Sequence, residues 1–159
     1  MPIIMGIDPG LAHAGWGIVS HDGLRSRHVA HGVLNTDAKL PPALRLQSLF
    51  NELNTVIQTY KPDYAGIETL YFARNVTSAL PVAQARGVLL LALAENSVPV
   101  AEYTPLQIKQ AVVGNGRAEK SQVQMMTALL LKLAKPPRPD HAADALAAAI
   151  CHAHTGGLS

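Results

Sequence analysis

Four side chains in this 159-residue chain combine metal-ligating chemistry with telling positions: Asp8, Glu68, His141 and Asp144. Asp8 follows a short apolar run, residues 3–7, and precedes Pro9-Gly10, a turn signal. Glu68 follows another short run, residues 64–67. If those runs are neighbouring parallel strands, both carboxylates project from one sheet edge, the edge at which open α/β sheets bind ligands. Two anions held close together repel each other and call for a cation between them. His141 and Asp144 stand three residues apart, which on a helix places them on one face near its first turn. The Ala residues around them would let that helix lie close to the sheet and bring both side chains to Asp8 and Glu68. Asp144 has no Lys or Arg three or four residues away, so it needs a partner from elsewhere, and a metal would serve. Taken singly, each residue has a plainer explanation: turn chemistry for Asp8, surface chemistry for Glu68, a helix-dipole charge for Asp140 and a partly buried polar group for His141. The metal-site reading rests on their convergence within one topology.

The elements that must position them follow from the hydrophobic pattern. Residues 3–7, 15–20 and 25–34 read as three consecutive strands, so closely spaced that an antiparallel meander is expected. Leu46, Leu49, Phe50, Leu53, Val56, Ile57 and Tyr60 recur at helical spacing between Pro41-Pro42 and Pro62. A fourth strand ends in Glu68, and a helix follows through about Ala94, with Pro81 expected near its first turn. Residues 99–103 form a fifth strand. Thr104 then caps a helix with Pro105 at its first position, and Gly114-Asn115-Gly116 breaks it. A helix over 118–133 shows Val123, Met126, Leu130 and Leu133 on one face, a Pro-rich connector spans 136–139, and an Ala-rich helix starts at Asp140. The order β-β-β-α-β-α-β-α-α-α, with early hairpins and later helical crossovers, predicts an α/β protein with a mixed five-stranded sheet of RNase H-like arrangement. One domain over residues 1–154 with a short tail at 155–159 is expected.

Composition fits a globular enzyme: 48% hydrophobic and 15% charged residues, with aromatics at 4%, so aliphatic residues and Ala must build the core. The single Cys, Cys151, excludes an internal disulfide. With no basic leader at the N-terminus and an apolar run at 88–94 too short to span a bilayer, a cytoplasmic protein is expected. The net charge of +2 conceals a partition: residues 73–139 hold eight Lys/Arg against three Asp/Glu, a basic block between segments carrying isolated acids. A basic surface beside a carboxylate cluster suits a metal-dependent enzyme acting on polyanions.

With those residues placed, the sequence resembles the RuvC family of Holliday junction resolvases, nearly end to end. The quotable segments run from Gly6-Ile7-Asp8-Pro9-Gly10 through Gly15-Trp16-Gly17, Ile67-Glu68, Gln84-Ala85-Arg86-Gly87, Gln107-Ile108-Lys109-Gln110 and Ala118-Glu119-Lys120-Ser121 to Asp144-Ala145-Leu146. The resemblance implies a homodimer that binds four-way junction DNA and nicks two strands of like polarity, using a divalent metal. It also implies association with branch-migration complexes of the RuvA/RuvB type. It maps the four metal positions to Asp8, Glu68, His141 and Asp144. Many members have Asp where His141 stands; the His here would shift preference from Mg²⁺ toward Mn²⁺, since imidazole is the softer ligand. Asp140 is an alternative oxygen donor, but His141 keeps the spacing of three to Asp144. For DNA contacts the resemblance points to Tyr71 and Phe72 as stacking aromatics, to Arg74 as a phosphate ligand and to Lys109 and Lys120 near the scissile phosphate. Arg117, beside the Gly-Asn-Gly loop, is a weaker candidate. The apolar stretch 88–94 is either deep core or a dimer interface.

The expected chemistry is phosphodiester hydrolysis with two Mg²⁺ ions held by these four residues, leaving 5′-phosphate and 3′-hydroxyl ends. Two rival readings exist. A strand-end Asp before a hairpin also opens actin-like ATPase domains, but those need two such domains, and no P-loop pattern is present. A non-catalytic junction-binding module is disfavoured because unneutralised carboxylates facing phosphate weaken binding. His13, His21, His28, His31, His152 and His154 show no ligand pattern with one another and receive no role.

Overall fold

The computed structural model describes residues 1–69 and 76–156. The elements are β1 (Ile3–Asp8), β2 (His13–His21), β3 (Ser26–Asn35), α1 (Pro42–Tyr60), β4 (Tyr64–Glu68), α2 (Val76–Glu95), β5 (Val100–Tyr103), α3 (Pro105–Val113), α4 (Lys120–Leu130) and α5 (Asp140–Thr155). Their order is the one the sequence predicts. The sheet runs β3-β2-β1-β4-β5. Hairpin connections make β1–β2 and β2–β3 antiparallel, and helical crossovers make β1–β4 and β4–β5 parallel.

The pleat divides the core. Met5 and Ile7 of β1 and Ala65 and Ile67 of β4 face α1 and α2, where they meet Leu49, Leu53, Ile57, Leu89 and Leu93. Each of these large aliphatics contributes about 1.5–3 kcal/mol by leaving water. On the opposite face Ile4 and Val19 join Leu146, Ile150, Ile108 and Val112. There the strands carry glycine so that α5 can approach. A Cβ on Gly6 would stand 1.8 Å from the carbonyl oxygen of Ala145, and one on Gly15 would stand 1.9 Å from that of His141. The alanines of α5 supply the matching smooth surface, and the helix buries every residue from Ala145 to Ala153.

Two expectations need correction, and a third is refined. Pro81 is the sixth residue of α2, in its second turn, where the helix loses one N–H···O=C bond. α4 stops at Leu130 instead of 133: Lys132 adopts a left-handed φ of 55°, and Leu133 returns its N–H to Ala128 while still packing on the core. The 88–94 stretch is neither wholly buried nor wholly exposed. Leu89, Ala92 and Leu93 are interior, whereas Leu80 and Leu91 of the same helix are 56% and 51% exposed.

Candidate metal centre and nucleic-acid interface

Strand parity puts the acids together. In β1, Ile4 and Gly6 face α5, so Asp8 does too; in β4, Gly66 packs on α5, so Glu68 shares that side. Ile7 pairs with Ile67 across the parallel ladder, leaving Asp8 and Glu68 at adjacent strand ends. The first turns of α5 cross above them. His141 Nδ1 lies 3.0 Å from Asp8 Oδ2. With Asp8 ionised, Nδ1–H is the donor and Nε2 keeps its lone pair for another partner.

Asp144 is the next residue on that helix face, and it finds its partner away from its own helix, as its surroundings in the sequence require. Lys120, at the start of α4, places Nζ 3.5 Å from Asp144 Oδ2 and 3.5 Å from Asp140 Oδ2. Gln124 Nε2 donates to the other oxygen of Asp140 at 3.2 Å. The ion pair joins residues far apart in sequence, so helix spacing could not reveal it. Glu68, Lys109, Lys120 and Asp144 line one pocket of ≈ 230 Å³, with Ile108 and Val123 in its wall.

The electrostatics are those of a crowded anionic site. Burial, reinforced by Asp144, pushes the Asp8 carboxyl up to about 6 against the opposing hydrogen bond from His141. Burial, then the charges of Asp8 and Asp144, push Glu68 up to about 7, while Lys120 and Lys109 oppose the rise. Burial also raises Asp144, partly offset by Lys120. Burial works against the Lys120 charge, but Asp144 and Asp140 outweigh it and hold the ammonium above its usual range. Three carboxylates that resist ionisation suit hard divalent cations, and the Nε2 of His141 adds a borderline donor. Among the described residues no three His, Cys, Asp or Glu side chains close to metal-binding distance. Lys120 supplies the positive partner of Asp144 instead, and the His141 ring supplies the hydrogen bond to Asp8.

Of the other singled-out residues, Lys109 and Lys120 enter this pocket. Arg117 is exposed in the α3–α4 loop and does not line it. Tyr71, Phe72 and Arg74 lie outside the described residues. Sequence reasoning missed Asp140 and Gln124 as supports of Lys120, and His13, whose ring stands 5.6 Å from that of His141. Among the described residues no helix is long and apolar enough to cross a membrane.

An RNase H-like sheet with acids gathered at its carboxyl edge under a C-terminal helix defines a class of nucleic-acid-cutting enzymes. Within that class the chain belongs to the RuvC family: residues 4–152 match the family described as crossover junction endodeoxyribonuclease RuvC. It is 54% identical over 151 residues to the crossover junction endodeoxyribonuclease RuvC of Chloroflexus aggregans, covering 95% of this chain and 92% of that one. It is 50% identical over 157 residues to that of Alkaliphilus oremlandii, covering 99% and 96%. Among solved structures, Thermus thermophilus RuvC in complex with a Holliday junction substrate superposes with a TM-score of 0.93 at 36% identity, covering 98% of this chain and 95% of that one.

Proposed function

We propose that this chain is a structure-specific endonuclease that resolves four-way DNA junctions in recombination and repair, by paired, metal-dependent hydrolysis of phosphodiester bonds. The observation that carries the reading is the meeting of Asp8, Glu68 and Asp144 at one sheet edge in a chain that matches RuvC relatives over nearly its whole length. Nucleases of this family are metal-dependent. Asp8, Glu68, Asp144 and His141 would hold the metal, proposed as two Mg²⁺ per site with Mn²⁺ able to substitute. Bound there, the ions would activate water and screen the negative charge of the scissile phosphate.

The chain's own residues do the rest. Asp8 is fixed by its strand and by His141, so its position does not depend on a mobile loop. Glu68 borders the same pocket as Lys109 and Lys120, which places a proton acceptor beside two cations that attract phosphate. Lys120, supported from behind by Asp140 and Gln124, would meet the charge that builds on the phosphoryl oxygens. Hydrolysis leaving 5′-phosphate and 3′-hydroxyl ends is the proposed outcome.

Each chain gathers one such cluster, and resolving a junction takes two cuts, so a homodimer is part of the proposal. The exposed stripe of α2, with Leu80, Leu91 and the open Gly87, is the surface offered to the second copy. Delivery of the junction by a RuvA/RuvB-type branch-migration complex, and work in the cytoplasm where the DNA is, rest on family membership alone.

The test is nicking of a synthetic four-way junction against linear duplex, with Mg²⁺, Mn²⁺ or EDTA, for wild type and Asp8→Asn. Paired nicks confined to the junction, dependent on metal and lost in the variant, are expected. Equal cutting of linear duplex would leave a nuclease without junction specificity, and cutting in EDTA would remove the metal from the chemistry.

A further inference from the structure

A second concavity, ≈ 430 Å³, lies on the β2 side of Asp8, and of the proposed metal ligands it shares only His141. Its walls are the turn from Pro9 to His13, Arg45 from the first turns of α1, and Pro81 and Val82 from α2. Among the described residues no carboxylate lines it.

Arg45 is built into this place. Its Nε donates to Thr36 Oγ1 at 3.0 Å, and that hydroxyl in turn donates to the carbonyl of Leu11 at 2.6 Å. The guanidinium is thus anchored to the backbone through one nitrogen, which leaves both terminal NH₂ groups for another partner. Arg45 is half-buried, and among the described residues it has no acidic partner. An aliphatic stem lying on this wall would not need a locked head group, and a half-buried cation without a counter-ion gains most when an anion joins it. His13 stands on the same wall. Its Nδ1 is 2.6 Å from the carboxamide oxygen of Asn35, which fixes the orientation of the ring beside the guanidinium.

The sheet order places this site across Asp8 from the Lys109/Lys120 pocket: β1 has β4 on one side and β2 on the other. We propose that Arg45, anchored by Thr36 and flanked by His13, is a phosphodiester subsite that holds the strand on the β2 side of the scissile bond. This rests on the reading that the chain cuts DNA. The fork of the guanidinium matches two oxygens of one phosphate, so the subsite sets the register of the strand over Asp8 as well as adding affinity.

The test uses the intact protein in an Asp8→Asn background, which removes cutting, and measures binding of a four-way junction and a matched linear duplex over a range of KCl. Arg45→Ala should weaken junction binding roughly tenfold, the scale of one charge-assisted contact. It should also make the slope of log affinity against log salt shallower by about 0.9, the signature of one phosphate contact. Arg45→Lys keeps the charge without the fork, so it should retain most of the slope and lose part of the affinity. Thr36→Val keeps the guanidinium and removes its anchor, and should fall between. Melting temperatures are compared across the set. If alanine lowers the melting point, Arg45→Gln, which retains a donor toward Thr36, takes its place. Affinity and salt slope unchanged in Arg45→Ala overturn the subsite. If the Asp8→Asn parent binds both DNAs alike, the junction reading falls while the Arg45 difference is still read on either DNA. If the parent binds neither, both fall.

Discussion

Removing a charge from the carboxylate cluster should stabilise the metal-free protein. The Asp8 carboxyl, with a side chain 11% exposed, is raised from 3.8 to about 6. The sign follows from which state holds the proton. Between those two pH values the unfolded chain has released its proton and the folded chain retains it, so stability falls as pH rises through that window and stays low above it. A rise of about two pH units corresponds to about 3 kcal/mol, a figure already net of the hydrogen bond from His141. Glu68 titrates against the same neighbours, so removing Asp8 also eases Glu68, and the two contributions are counted once. Asp8→Asn keeps the shape and an oxygen for His141 but cannot ionise. In EDTA at pH 8 it should melt about 6–12 °C above wild type, on the usual scaling for a chain of this size, whereas at pH 4 the two should melt together. Mg²⁺ added at pH 8 should raise the wild-type melting point and move the variant far less, because a ligand is gone and the repulsion is already relieved. Differential scanning calorimetry at both pH values, with and without metal, reads all of this. A variant that melts at or below wild type at pH 8, or a wild-type melting point flat between pH 4 and 8, would refute the account of the cluster as an electrostatic liability resolved by metal.

Lys120→Met should reduce junction cutting by about 10²-fold, the usual loss for one preorganised charge at a reacting phosphate, while junction binding measured by anisotropy falls much less. Gly6→Ala should destabilise the fold by about 3 kcal/mol or more in urea denaturation, since its Cβ would meet backbone of α5 that has no flexible end to yield. His141→Asp should move the Mn²⁺/Mg²⁺ activity ratio toward Mg²⁺ by replacing the softer donor, and an unchanged ratio would remove His141 from the ligand set. Leu91→Glu, at the half-exposed stripe of α2, should shift the mass read by light scattering from two chains to one at micromolar concentration.

Much of this was legible in the sequence, for physical reasons that particular residues illustrate. The strands bearing Asp8 and Glu68 declare themselves because each short apolar run ends at an acid, and Pro9-Gly10 marks a sharp change of direction. The capping box of α3, in which Thr104 and Gln107 satisfy each other's backbone N–H groups, is equally local and equally readable. What escaped was tertiary. Lys120 reads as a solvated charge until α4 is laid beside α5, and only then does it meet Asp140 and Asp144. The end of α4 was hidden because Leu131 and Leu133 continue an apolar pattern through a backbone that has already turned at Lys132. Arg45 sits among polar positions of an amphipathic helix, and nothing in its neighbours' spacing announces Thr36 or the groove beside His13.

The placement of charge explains why binding and cutting should be separable in this chain. Carboxylates resisting ionisation occupy the middle of the sheet edge, Lys109 and Lys120 lie toward β4, and Arg45 and His13 lie toward β2. A polyanion meets attraction on both flanks and repulsion at the centre. On this reading the flanks would need no metal to attract DNA, whereas the centre would tolerate a phosphate only once divalent cations neutralise it. Binding energy gathered at the flanks can then hold the scissile bond over Asp8, which is how remote contacts come to lower a chemical barrier. It follows that removing a flank should cost affinity and register together, whereas removing a central carboxylate should cost cutting while leaving affinity intact or improved.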